Sequence, residues 1–359
     1  MSTMKWTISR DYKLDDVLSA LVGEREAYAL EDAENARYRF VRADAWSPEH
    51  HSLGAYRPTE PLKAMFFQPR EFLGSLSSES PQNSVVRERI VFGVKNCDLS
   101  ALAIHDHVFL NDGCKDPFYA EAREKTILVS SDCTGFLDVC FCPAVGEQPY
   151  PLKGFDINIS PTPLGPVLES GSERGQALLQ SVEKYLKPAG PELLAAVAKQ
   201  RGEKYRELSD HTTAHGLKPD VDLRTAIEGT FNSDLWDGFA ADCVECGACN
   251  FICCTCHCFL LVDGVDAHGE PARVKQWDAC LFKDFARTGG GGNPRPRRAE
   301  RLRNRFDKKF SFFPEILGRY ACDGCGRCTE ACIGKIDIRD VLRTAVNEFD
   351  ALHAHPGDG

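Results

Sequence analysis

The chain has 359 residues, 43% of them hydrophobic, and carries 43 basic against 53 acidic side chains for a net charge of −10. That length buries a sizeable core and suggests two or three domains, while the acidic balance argues against a general binder of nucleic acid or anionic membrane. Met1 to Arg10 holds no apolar secretory core, and no stretch approaches the roughly 20 apolar residues of a membrane span, so the expectation is a cytoplasmic protein.

In chain order, the first clear elements are two short apolar runs bounded by polar residues. Arg89 to Val94 and Lys125 to Ser130 read as buried strands. Between them, Asp98 to Leu110 has Leu99, Leu102, Ala103 and Val108 at helical spacing, with Asp98 placed as the N-terminal cap. Asp156 to Ile159 is a weaker strand, and Gln176 to Leu186 and Glu192 to Lys199 read as helices. Lys199 to Asp222 is polar and reads as a linker or as helix ends near a boundary, with His211 and His215 in a solvated loop. Phe231 to Ala241 leads into a cysteine-rich region. The most apolar run, Phe251 to Val262, is short and itself rich in cysteine. Gly289 to Gly292, followed by Asn-Pro-Arg-Pro, is a loop, and it lacks the Lys-Ser/Thr of a phosphate-binding loop. Ala299 to Phe310 resumes as a basic helix.

The 17 cysteines carry the chemistry. The count is odd and the chain too large to need disulfide staples, so clustered cysteines point to metal or redox use. Cys243-x2-Cys246-x2-Cys249-x3-Cys253 and Cys322-x2-Cys325-x2-Cys328-x3-Cys332 repeat one spacing. Three cysteines at two-residue gaps can present three thiolates to one cubane, and in two-cluster ferredoxins the fourth reaches across to the other cluster. The expected ligand sets are therefore Cys243, Cys246, Cys249 and Cys332 for one [4Fe-4S] cluster, and Cys322, Cys325, Cys328 and Cys253 for a second. Zinc, which prefers paired CxxC or histidine sets, fits this spacing badly. Gly247 and Gly326 follow the middle cysteine in each copy, where glycine would let the backbone pass close to an inorganic core. The proline that often follows the fourth cysteine is replaced by Cys254 and Ile333, which removes a rigid element beside each cluster.

Nine cysteines remain. Cys97 and Cys133 follow the two strands, and strand C-terminal ends gather ligands in α/β folds. With Cys140 and Cys142 they form either a third metal centre or buried free thiols; about twelve rather than about eight iron atoms would distinguish the two. Cys254, Cys256, Cys258 and Cys280 surround the first motif and read as small polarisable packing, in preference to ligation. Of the basic residues between Arg287 and Lys309, most read as a solvated helix face, with docking to an acidic partner or a substrate phosphate as the functional alternative. Trp277 is expected to pack near the clusters with a partner for its indole N–H. No serine nucleophile elbow, paired-carboxylate signature or G-x-G-x-x-G fingerprint is present.

Together, Phe92 to Leu99, Asp106 to Leu110, Asp116 to Tyr119, Cys133, Cys140-Phe-Cys142, Cys243 to Phe259, Trp277 to Phe282, Gly289 to Arg298 and the C-terminal motif resemble the iron–sulfur beta subunits of cytosolic NiFe hydrogenases (sulfhydrogenases) and the corresponding iron–sulfur subunit of the anaerobic sulfite reductase family. The resemblance spans about Arg57 to Ile338. Lys95 stands where that family more often has Arg, and the stretch after Cys142 matches only in part. The resemblance implies a helical ferredoxin domain after an α/β region. It also implies a role between a flavin/NAD(P)-binding or ferredoxin-linked donor and a catalytic subunit of NiFe hydrogenase or sirohaem sulfite reductase type.

The sequence thus leads to an α+β expectation: a mixed α/β domain over residues 1–225, then a mainly α-helical dicluster ferredoxin-like domain over 226–359. The expected function is a non-catalytic electron-transfer subunit with two [4Fe-4S] clusters and room for a third iron–sulfur cluster, without nucleic-acid binding. An iron–sulfur sensor that binds nucleic acid is the alternative, against which the net charge of −10 counts.

Overall fold

The computed structural model describes residues 5–353 apart from 36, 76–86, 112, 114, 220 and 266–268, so Cys114 lies outside the described residues. The elements run β1 (Lys5–Ile8), α1 (Leu14–Val22), β2 (Glu26–Ala33), β3 (Arg37–Ala43), β4 (His51–Ser52), β5 (Arg70–Ser75), β6 (Arg89–Val94), α2 (Asn96–Phe109), α3 (Pro117–Glu124), β7 (Thr126–Ser131), β8 (Ile157–Ser160), β9 (Val167–Ser170), α4 (Glu173–Ser181), β10 (Leu186–Pro188) and α5 (Pro191–Ala214). They continue with α6 (Leu223–Gly229), α7 (Leu235–Ala241), α8 (Ala248–Phe251), β11 (Phe259–Val265), β12 (Pro271–Trp277), α9 (Arg298–Asp307), α10 (Phe313–Leu317), α11 (Arg327–Glu330) and α12 (Ile338–His353). Among the described residues no helix is long and apolar enough to cross a membrane.

One mixed sheet organises the first part, in the order β10-β1-β9-β8-β7-β6-β2-β3, with β4 also on β2. Its centre is parallel: β2 pairs β6, β6 pairs β7 and β7 pairs β8 in the same direction. The two runs read as strands sit here, buried throughout or nearly so. Alternation sends Ile90, Phe92, Ile127 and Val129 to a face covered by α1 and α4. Val91, Val94 and Leu128 point to the other face, under α2 and α3. Because β6 and β7 are parallel neighbours, the residues that follow them, Cys97 and Cys133, emerge on one edge.

A separate core joins α6, α7, α9 and α12 around Trp236, Phe306, Phe310 and Leu342, and it also takes in Phe141, Ala144, Val145 and Leu217. The 225/226 boundary expected from sequence falls inside α6. This second part is not purely helical: β11 and β12 form a hairpin, and β12 pairs antiparallel with β5 from the first part.

The structure decides one local reading and changes two. Of the two readings of 199–222, linker or helix ends, the helical one holds for most of it, because α5 runs on to Ala214 and stops only before Gly216 at φ 81°. Its anchors are Leu208 and Thr212, one turn apart, and Arg201, which pairs with Asp132 at 2.7 Å and Glu169 at 3.0 Å. Such a helix shows little apolar stripe. Asp98 does not cap α2; Lys95 holds the cap position and Asp98 lies in the first turn, committed elsewhere. The helix read to Leu186 ends at Ser181, and Leu186 begins the edge strand β10.

Candidate metal centres

The two cysteine loops fold alike. Each alternates left-handed residues, Glu245 (φ 57°) and Gly247 (φ 72°) in the first, Gly324 (φ 63°) and Gly326 (φ 68°) in the second. This curls the backbone so that the N–H two residues on points back at the first sulfur, Glu245 to Cys243 and Gly324 to Cys322. Gly247 and Gly326 then start the short helices α8 and α11. The glycines serve conformation and close chain packing. A Cβ on Gly247 would meet Ala279 and Phe282 at 2.8 Å, and one on Gly326 would collide with the Val139 carbonyl.

Cys243, Cys246, Cys249 and Cys332 line one cavity of about 40 Å³, walled by Leu302, Phe306 and Ile336. The Ile336 N–H donates to Cys332 Sγ at 3.3 Å. Cys246 is exposed at its mouth, and burial pushes the Cys249 thiol up to about 12. Cys328 stands in the wall of the same cavity.

Cys322, Cys325, Cys328 and Cys253 lie close enough for their charges to act on one another, Cys322 and Cys253 buried and Cys325 and Cys328 half-buried. Lys309 Nζ lies 3.3 Å from Cys253 Sγ. Hydrogen bonds from Cys254 and Cys256, ahead of the nearby Lys309 and Arg305 charges, hold Cys253 well below the usual thiol range. Cys254 is raised first by its hydrogen bond to Cys253 and then by one shared with Cys325 at 3.7 Å, which lowers Cys325.

Cys97, Cys133, Cys140 and Cys142 line a third cavity, of about 30 Å³, with Cys325 in its wall. The first two come from the ends of β6 and β7; the others come on a loop pinned by the Phe141 N–H donating to Gly324 O at 2.7 Å. Burial pushes Cys133 up to about 11, against the pull of Lys95.

What the sequence reading missed is the set of buried cations. Arg57, Lys63, Lys95, Arg305, Lys309 and Arg327 are each at most 5% exposed. Arg327 forms a buried pair with Asp98 at 2.7 Å, and Arg57 reaches Glu330 while donating to Cys325 O at 2.5 Å. Lys63, Lys95, Arg305 and Lys309 have no carboxylate partner among the described residues; they donate to carbonyls, hydroxyls and sulfurs. Burial opposes charge on Lys309, yet the Cys253 and Cys256 sulfurs hold its ammonium above the ordinary range. The reading of most of the 287–309 basic stretch as a solvated face is thus corrected for Arg301, Arg305 and Lys309, which turn inward. Their four-residue spacing, beside Leu302, Phe306 and Phe310, was the available signal.

These cations test whether an iron–sulfur group fits. A buried cation without a counter-charge costs several kcal/mol, and protonated thiols supply none. Thiolates on a net negative cluster do. Spacing argues in the same sense. Tetrahedral zinc needs sulfurs about 3.8 Å apart. Among the described residues no three cysteine sulfurs lie within 4.8 Å of one another; the only three-ligand group that close is Asp138, His211 and His215 at the surface. Trp277 meets expectation: its indole N–H donates to Phe67 O at 3.2 Å, and Lys63 sits 4.4 Å over its ring.

Comparison with known proteins agrees with this chemistry. Residues 242–336 match the family described as a 4Fe-4S dicluster domain. The chain is also similar to the sulfhydrogenase 2 subunit beta of Pyrococcus furiosus, 29% identical over 309 residues, which covers 86% of this chain and 89% of that relative. The resemblance to iron–sulfur hydrogenase beta subunits read from the residues is borne out.

Proposed function

We propose that this chain, an iron–sulfur protein of hydrogenase-beta-subunit type, is the electron-relay component of a multi-subunit oxidoreductase. It would hold [4Fe-4S] clusters on Cys243, Cys246, Cys249 and Cys332 and on Cys322, Cys325, Cys328 and Cys253, and a third iron–sulfur cluster on Cys97, Cys133, Cys140 and Cys142. One observation carries the reading: the cysteine groups share walls. Cys328 belongs to the second set and lines the first cavity, and Cys325 belongs to the second set and lines the third. The groups form a continuous series from the exposed Cys246 inward to the strand ends of the large sheet.

The bound clusters supply one-electron redox chemistry. The chain's own residues do the rest. Glu245, Gly324 and Ile336 N–H groups donate to cysteine sulfurs. Lys95, Arg305 and Lys309 favour the more negative state, and the apolar walls of the first cavity exclude water. Electrons would pass between a flavin/NAD(P)-binding or ferredoxin-linked partner on one side and a catalytic subunit of hydrogenase or sulfite reductase type on the other; the name of the sulfhydrogenase relative supports the hydrogenase type. The setting would be cytoplasmic.

The test is anaerobic purification with iron, acid-labile sulfide and low-temperature EPR of the reduced chain. The Cys97→Ala/Cys140→Ala variant should lose about four iron atoms and keep the remaining signals. An unchanged iron content removes the third centre. A colourless, zinc-loaded chain without labile sulfide overturns the whole reading.

A further inference from the structure

Outside the three cysteine groups above, the chain closes a fourth. The β11–β12 hairpin pairs Phe259 with Trp277, which brings the residues just before β11 and just after β12 to the same end. Asp278 N–H fixes that end by donating to Cys258 O at 3.0 Å. Cys256 and Cys258 lead into the hairpin and Cys280 leaves it. All three line one cavity of about 30 Å³, the same volume as the cavity of the Cys97 group.

The surroundings are built for sulfur anions. Asn250 is buried and its Nδ2 donates to Cys280 Sγ at 3.0 Å and to Cys256 Sγ at 3.8 Å. Arg305, 4% exposed, lines this cavity and places Nη1 at 3.5 Å from Cys256 Sγ; its Nη2 is buried without a hydrogen-bond partner among the described residues. Lys309 closes the same wall. Simple packing around a neighbouring cluster explains small buried thiols. It does not by itself explain a buried amide that donates to two of them and a buried guanidinium that donates to one. Nor is this a zinc site, since the three sulfurs do not lie within 4.8 Å of one another.

We propose that Cys256, Cys258 and Cys280 bind a further cubane iron–sulfur cluster by three thiolates, with a non-cysteine ligand on its fourth iron. Cys254 is not that ligand: its sulfur turns away to Cys325 at 3.7 Å and to Asp323 at 3.5 Å. The site touches the relay at two places. Cys256 lies beside Cys253, and Arg305 stands in the walls of both this cavity and that of Cys243. It is therefore a branch beside the series of the proposed relay, and it stands or falls separately from the Cys97 group.

Native mass spectrometry of the anaerobically reconstituted full chain counts cubane increments directly. Cys258→Ala and Cys280→Ala should each carry one increment fewer than wild type. Thr7→Ala, a buried small polar side chain on β1 that lines none of the cysteine cavities, should carry the wild-type number. If the two variants keep the full count, or if T7A loses the same increment, the inference fails. A readout on the unsubstituted chain covers variants that fold poorly. A cubane with one iron lacking a thiolate sheds that iron on mild oxidation. Wild type should then show the EPR signal of a three-iron cluster, and its absence overturns the proposal. Loss of an increment in C97A/C140A reports on the relay reading alone.

Discussion

Replacing Lys309 with Met tests the electrostatic role of the buried cations with little change of shape. Lys309 Nζ lies 3.3 Å from Cys253 Sγ and donates to Thr255 Oγ1 and Ala321 O, both at 2.7 Å. Thr255 itself donates to Ala321 O, so the carbonyl keeps a partner after the substitution. An electron added to a cluster on Cys253 spreads over its core, at an effective distance of about 6 Å from the ammonium. With an effective dielectric constant of about 20, the attraction is about 3 kcal/mol. At 2.3 kcal/mol per 100 mV this is on the order of 120 mV. The reduced cluster carries the extra negative charge, so the lost cation makes reduction harder and the midpoint potential falls. An EPR-monitored redox titration of wild type and K309M should show one signal moved down by roughly 60 to 120 mV, the lower figure allowing for water entering the site. A potential that stays within about 20 mV, or rises, would refute the placement of a cluster on Cys253.

Three further outcomes follow from particular contacts. Arg327→Met leaves Asp98 buried with only the Leu62 N–H at 3.1 Å, so unfolding free energy should fall by about 3 to 5 kcal/mol in denaturant titration; a loss below 1 kcal/mol would mean water reaches the pair. Gly324→Ala puts a Cβ onto the Cys142 backbone at φ 63°, and should cost at least ~1 to 2 kcal/mol and lower iron occupancy at the Cys140–Cys142 loop; wild-type iron content would show that the loop can yield. Removing iron with a chelator under reducing conditions strands Lys95, Arg305 and Lys309 beside neutral thiols, so the apo chain should melt well below the holo chain and exchange amide hydrogens faster around α9; equal melting temperatures would contradict the role given to these cations.

Where local pattern and tertiary role coincide, the structure was legible in advance. The run Arg89–Val94 is a strand at those residues because both its faces are covered, which makes it apolar without interruption. The cysteine loops were readable as two copies of one motif because their spacing is identical, and both fold with left-handed residues at the same two positions. The unread parts depend on distant partners. The edge strands β1, β9 and β10 are short and half-polar, and they exist through pairing with one another. Helix α5 is held by Arg201 reaching Asp132 and Glu169, residues 69 and 32 positions away. Arg301, Arg305 and Lys309 look like solvent-seeking charges until the sulfurs they face are placed in space. The hairpin that gathers Cys256, Cys258 and Cys280 begins at the end of the cysteine-rich run 251–262 and returns through β12, a pairing no local pattern announced.

The second cysteine loop shows why the two parts of the chain work as one. Four contacts seat it on the first part: Phe141 N–H on Gly324 O, Arg57 on Cys325 O, Arg327 on Asp98, and Gly326 against Val139. Each fixes a residue within one or two positions of a cysteine, and each partner lies beside Cys97, Cys140 or Cys142 or on the segment before β5. Flanking this, β5 pairs with β12. Electron transfer weakens steeply with separation, so a relay gains from rigid spacing between successive centres. Seating one cysteine loop directly on the loop and strand ends that carry the next group supplies that rigidity. A ferredoxin-like unit joined by a flexible linker could not hold Cys325 in the wall of a cavity made by Cys97, Cys133, Cys140 and Cys142. The start of α2 and the loops beyond the strand ends of the large sheet, which contribute no cysteine of the two repeated motifs, thus fix where the second of them stands.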